Sequence, residues 1–174
     1  MSKVAQVSVN ISASTEGSGD FSGPYWSGAL TALANLTDGT TANKFDVVFM
    51  DERSVNASSN DDLDLAGVLT NPLGATITFA KVVALAVINA PLDSTEAANV
   101  SNLTIGGATN PFVGFLGGTT PTIGPIRPGG FVVIGAADLG GIGSPVAGTG
   151  DILRIANGAG GTAKYQIAIL GRSA

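Results

Sequence analysis

One stretch constrains the fold more than any other: Gly148 to Gly171, GTGDILRIANGAGGTAKYQIAILG. From Ala163 to Leu170 the residues alternate, with Ala163, Tyr165, Ile167 and Ile169 on one side and Lys164, Gln166, Ala168 and Leu170 on the other. Successive side chains of an extended chain point to opposite faces, so this period of two describes a strand with one buried face. The run before it alternates Leu153 and Ile155 with Ile152, Arg154 and Ala156. Between the two lies Asn157-Gly158-Ala159-Gly160-Gly161, whose glycines accept the positive φ of a loop longer than two residues. The segment predicts a C-terminal β-hairpin, and it carries no catalytic group.

The same periodicity runs through much of the chain. Val4–Ser12 sets Ala5, Val7, Val9 and Ile11 against Gln6, Ser8 and Asn10, a strand followed by the Ser/Gly-rich loop STEGSGDFSG. Tyr25–Leu36 is ambiguous; Trp26, Leu30 and Leu33 have helical spacing and Ser27 suits an N-cap, so a short helix ending at Asp38-Gly39 is expected. Lys44–Met50 reads as a strand with Phe45, Val47 and Phe49 on one side, followed by a solvent loop, DERSVNASSNDD. Asn71-Pro72-Leu73-Gly74 is a turn by its chemistry. Ala75–Ala90 is dense in Val, Ile, Thr and Phe and reads as strand, broken or bulged near Ala80-Lys81. Short strands are expected at Asn102–Gly106 and Thr122–Ile126. A turn at Arg127-Pro128-Gly129-Gly130 leads into a buried strand, FVVIGAA. About seven to nine strands with at most one short helix predict an all-β fold, an antiparallel β-sandwich of jelly-roll type spanning residues 1–174 as a single domain. Residues 1–22 are read as an N-terminal arm or an added strand.

Composition narrows the chemistry. The chain has no cysteine and no histidine, which removes disulfides, thiolates, the commonest general base and the commonest zinc ligand. Charged residues are 12% of the chain and hydrophobic ones 44%. Soluble domains commonly carry about 25% charged residues, so either a membrane or other subunits should cover this surface. The longest apolar run, Val82–Ile88, is far short of the ~20 residues of a spanning helix, and no secretory signal is visible at Met1. Covering by subunits is the better account. With a net charge of −5 and its eight basic residues scattered singly, the chain has no nucleic-acid patch.

Each constellation that could carry chemistry has a plainer reading. Asp61, Asp62 and Asp64 with Asn60 could offer oxygen ligands to a hard cation, but the spacing lacks a calcium-loop pattern, and a solvated loop entering a strand is preferred. Asp51 and Glu52 are adjacent and would face opposite ways in a strand, so they do not form a glycosidase pair; Arg53 is assigned to salt bridging or a subunit contact. The 25 glycines contain no phosphate-binding motif. Sequons at Asn10, Asn35, Asn56, Asn99 and Asn102 reflect composition only. Tyr25 and Trp26 could stack on a sugar or anchor a subunit interface, and the anchor reading is preferred. Phe112 and Phe115 are further candidate anchors. No catalytic residue, metal ligand or cofactor is expected.

Four strings, DDLDLAGVLTNPLGATITFAKVVAL, LTIGGATNPFVGFLGGTTPTI, RPGGFVVIGAAD and GTGDILRIANGAGGTAKYQIAILGRSA, together resemble small virion structural proteins of tailed bacteriophages. The likeness covers Asp61–Ala174. It implies a non-enzymatic β-sandwich decoration (cement) protein, commonly a trimer. Such a protein would bind the major capsid protein on the capsid exterior after assembly in the bacterial host cytoplasm, with no nucleic-acid or membrane partner. Another phage part (tail, connector or fibre base) and a carbohydrate-binding β-sandwich module are the alternatives.

Overall fold

A computed structural model describes residues 2–20, 23–67 and 69–174. The expected segments 14–23 and 1–22 each include residues outside that range (Met1, Phe21 or Ser22) and are compared over the remainder. The protein is all-β, with no helix among the described residues and thirteen strands. Eight of them form two four-stranded antiparallel sheets. The first sheet has the order β11(Phe131–Gly135), β8(Lys81–Ile88), β13(Ala163–Arg172), β4(Val47–Val55). The second has the order β10(Thr122–Ile126), β9(Leu103–Gly106), β12(Ile152–Asn157), β5(Asn60–Asp64). One apolar core lies between them, with Val47, Phe49, Leu85, Val87, Tyr165, Ile167 and Ile169 from the first sheet and Leu63, Leu103, Ile105, Leu153 and Ile155 from the second. This is the face-to-face packing of a β-sandwich.

The wiring explains the largest departure from expectation. The strands β12 and β13 form where the alternation places them, and Ala163, Tyr165, Ile167 and Ile169 are buried. They do not pair with each other. Asn157–Thr162 carries the chain from one sheet to the other, and Asn157 turns into the core edge, donating through Nδ2 to the carbonyls of Val55, Asn56 and Gly161. The glycines therefore serve a crossover, not a hairpin loop. Other expectations are corrected too. DERSVNASSNDD is mostly strand, because β4 runs on to Val55 and β5 begins at Asn60. FVVIGAA is a half-exposed edge strand rather than a buried one. The break near Ala80-Lys81 is present, between β7(Thr76–Ile77) and β8, and a register shift against β13 puts Val82 in the main core and Val83 on the opposite side. The turn at Asn71–Gly74 joins β6(Leu69–Thr70) to β7, with Asn71 Oδ1 accepting from the amides of Leu73 and Ala75.

No helix forms at Tyr25–Leu36. That segment is β2(Tyr25–Asp38), paired along its whole length with β1(Val4–Glu16), from Val4↔Thr37 to Glu16↔Tyr25 without a register break. Besides Trp26, Leu30 and Leu33 at helical spacing, the segment holds a period of two: Trp26, Gly28, Leu30, Ala32, Ala34 and Leu36. Pairing with β1 decides between them. The root of this long hairpin is held by β3(Lys44–Phe45), parallel to β2, and by a small second core of Leu36, Phe45 and Val83 packed with Ala5, Val7, Val48, Ala137 and Leu170. The distal half projects away from the sandwich.

Candidate functional site

The most buried cluster of ionisable groups with shifted protonation sits at the β4–β5 edge of the sandwich. Arg53 on β4 donates from Nε and Nη2 to the two carboxylate oxygens of Asp61 on β5, at 2.6 and 2.9 Å. Tyr165 on β13, fully buried, donates its hydroxyl to Asp61 Oδ2 at 2.7 Å. Arg53 Nη1 also reaches Asp51 at 3.2 Å. Burial alone would push the Asp61 carboxyl up, but the donors Arg53 and Tyr165 outweigh it and hold it below the usual carboxylate range. Burial, then the Asp61 charge, pushes the Tyr165 phenol well above its ordinary value, and the Asp61 hydrogen bond does the same for Arg53. The cluster joins the two sheets at their shared edge. Beside it is an open basin of about 570 Å³ lined by Asp51–Asn56 and Ser59–Asp61.

This arrangement satisfies every charge it contains. Asp61 already accepts three donors, and its partners are fixed in their charged or neutral forms far from neutral pH. The remaining acids are equally engaged. Asp62 pairs bidentately with Arg154, its cross-strand neighbour, at 2.6 and 2.7 Å. Asp64 accepts from the amide of Ala66. Glu52 lies on the opposite face from Asp51, where it meets Lys164 at 3.4 Å and accepts from the amide of Leu92. The three aspartates expected as candidate cation ligands are thus split among three separate partners, and no cluster of three metal-ligating side chains is found among the described residues.

The aromatic candidates are more widely placed. Tyr25 and Trp26 lie at the far end of the hairpin, 63% and 57% exposed, but as strand neighbours they face opposite ways and form no common stacking platform. Trp26 folds back over Gly28 on its own face: a Cβ added to Gly28 would stand 2.8 Å from the indole ring. Phe112 is 3% exposed and belongs to the main core, with Phe115 tilted against it at 5.8 Å between ring centroids. The surface of Phe112 is therefore already covered within the chain.

What the sequence reading missed is an apolar exterior. On the outward side of the first sheet, one row runs Met50, Ala168, Ala86, Val133 and the next runs Glu52, Gln166, Ile88, Phe131. Met50, Phe131 and the nearby Leu92 are exposed, and a groove of about 400 Å³ runs among Met50, Ala86, Ile88, Leu92 and Ala168. The outward side of the second sheet is different, carrying the Asp62–Arg154 pair, Asn60 and Thr104. The hairpin is also two-faced. Its pairs Val9↔Ala32, Ile11↔Leu30 and Thr15↔Trp26 lie on one side, and Asn10↔Thr31, Ser12↔Ala29 and Ser14↔Ser27 on the other, where Leu33 and Tyr25 are the exposed apolar exceptions. A signal for this was present: β8 is apolar at nearly every position, as strands covered on both faces are.

No family model, curated protein or solved structure matches the chain.

Proposed function

We propose that this chain is a non-enzymatic structural protein of a tailed-bacteriophage virion, a head decoration protein that binds the outer capsid surface as a homotrimer and stabilises the shell. One observation carries the reading: an outward sheet face and one side of a long projecting hairpin, both largely apolar, on a chain with few charges. Free monomers rarely expose apolar patches of this kind, whereas subunits of an assembly cover them. The strand order supports a jelly-roll reading, since β4/β5, β8/β9, β10/β11 and β12/β13 are chain neighbours placed in opposite sheets. The resemblance of Asp61–Ala174 to phage virion proteins points the same way.

In this role the mechanism is multivalent clamping. Each subunit contributes a weak contact with the major capsid protein, and linkage within an oligomer raises the effective concentration of the remaining contacts. The unpaired outer edge of β1 suits addition to a strand of the shell. The test is to mix the purified chain with shells assembled from the major capsid protein of the phage that encodes it, then image them. Density at symmetry-related outer positions in hundreds of copies is expected. A dozen copies or fewer would make it a connector or tail part, and no binding at all would overturn the proposal.

A further inference from the structure

We infer that the apolar face of the distal hairpin seats on the outward face of the β11-β8-β13-β4 sheet of a second copy of this chain, so that each copy gives a hairpin and receives one. The inference deepens the assembly reading above and rests on it.

The hairpin itself shows which surface its apolar face fits. At the root, Ala5, Val7 and Leu36 already pack against Val48, Val83 and Leu170 of the same sheet face within one copy. Past the root, Val9 and Ala32 face Ala84 and Val133 of the same chain across a wedge of about 420 Å³, and Ile11, Leu30 and Trp26 continue the apolar side beyond it. The sheet face likewise continues past the root, through Met50, Ala86, Ala168 and Val133 to Ile88 and Phe131.

The hairpin does not close on its own sheet. Its ladder is unbroken from Val4↔Thr37 to Glu16↔Tyr25, and bending it down would break pairs at a point with no bulge or proline to absorb the change. A second copy offers the same sheet face at another angle. It also covers both open surfaces with one repeated contact.

The dimensions agree. Eight strand residues from Val9 to Glu16 span roughly 26 Å, and two strands with their side chains are about 10 Å wide, a footprint of about 260 Å². The open sheet face is four strands across, about 14 Å between the outer strand axes, and about two side-chain rows deep, a comparable area. The charge on the sheet face, Glu52, sits on its outer strand β4 and is paired with Lys164. A contact this small lies well under the usual size of a stable interface, about 1,600 Å² in total. It holds only if head-to-tail contacts close into a ring, in which every copy makes two of them.

A chain without cysteine makes the test direct. Single-cysteine variants Leu30→Cys and Ala86→Cys are mixed and oxidised, and light scattering is run on Ile11→Asp and on Ser12→Asp, its neighbour on the polar face. Expected are a Leu30→Cys to Ala86→Cys disulfide between chains, loss of the oligomer in Ile11→Asp, and an unchanged oligomer in Ser12→Asp. An oligomer that survives Ile11→Asp, or crosslinks only between two hairpins, overturns the inference while leaving the assembly reading intact. Circular dichroism of Ile11→Asp checks that the sandwich, which this residue does not touch, remains folded. Shell binding measured on the same variants separates the two claims: a wild-type oligomer that ignores capsids refutes the cement function and not the hairpin exchange.

Discussion

Arg172 is fully buried and has no carboxylate partner among the described residues; its guanidinium donates from Nε to the carbonyl of Lys44 at 2.9 Å, from Nη1 to Leu139 at 3.0 Å and from Nη2 to Ala137 at 3.1 Å. It thereby ties the end of β13 to β3 and to the 137–139 turn, at the root of the hairpin. In Arg172→Met the stem volume is kept and all three bonds are lost. The Ala137 carbonyl retains a second donor, the Asn43 amide at 2.7 Å, so the cost falls mainly on the other two. A hydrogen bond to a charged group contributes about 1.5–3 kcal/mol, which gives roughly 4 kcal/mol for the pair. That is a large part of the ~5–15 kcal/mol available to a folded domain. At about 2–4 °C per kcal/mol for a chain of this size, the melting temperature should fall by about 8–16 °C. Calorimetry measures this, and hydrogen exchange should show the amides of Thr37–Phe45 losing protection first. Arg172→Lys should recover less than half, because one ammonium cannot span three carbonyls on two elements. A shift under about 3 °C in Arg172→Met would refute the account of Arg172 as the tie at the hairpin root.

Three further outcomes follow from the same geometry. Asp61→Asn should lower stability at pH 7 by about 2 kcal/mol, read from the urea midpoint, by loosening the Arg53–Asp61–Tyr165 link between the sheets. Because the folded carboxyl lies below its unfolded value, this stabilisation is present above about pH 4 and is lost as the pH falls through the folded value; wild type and variant should therefore converge in acid. Asn89→Ala should cost about 3 kcal/mol by thermal unfolding, since the buried amide donates to the carbonyls of Ser101 and Ile126, both at 2.9 Å, and accepts from Asn99. Gly171→Ala should cost about 1–3 kcal/mol, because a Cβ there runs into the Lys81 carbonyl and the Phe79 ring, whereas Gly117→Ala, which meets nothing, should leave the melting temperature unchanged.

The strands whose residues alternate under a single buried face could be read directly: β1, β9, β12 and β13 lie within a few residues of where their patterns place them. Pairing was another matter. Nothing local in Ile152–Leu170 distinguishes a hairpin from a crossover, because both need glycine at the turn and both bury alternate residues; the choice is made by β5 and β9 on one side and β4 and β8 on the other. Tyr25–Leu36 was misread for a related reason. Its alanines and leucines suit a helix, and only the matched alternation of Val4–Glu16, with the closing loop between them, turns it into a strand. In the charged cluster, the opposition of Asp51 and Glu52 could be read from strand geometry. The Arg53–Asp61–Tyr165 contact joins residues up to 104 positions apart and had no sequence signal.

The two exteriors of the sandwich differ in a way that internal packing does not require. Either sheet could bury its inward face equally well with a polar outer side, and the second sheet does so, through Asp62–Arg154, Asn60 and Thr104. The first sheet instead places Ala86, Ile88, Ala168 and Val133 outward, beside a hairpin with one continuous apolar side. An unselected surface would scatter such residues singly, without matching the side on which the hairpin root already sits. In the proposed ring, covering the apolar side would direct the Asp62–Arg154 face away from the copy-to-copy contact. Substitution of Thr104 by lysine should then leave the oligomer size unchanged by light scattering, while substitution of Ala168 by lysine, on the covered side, should dissociate it.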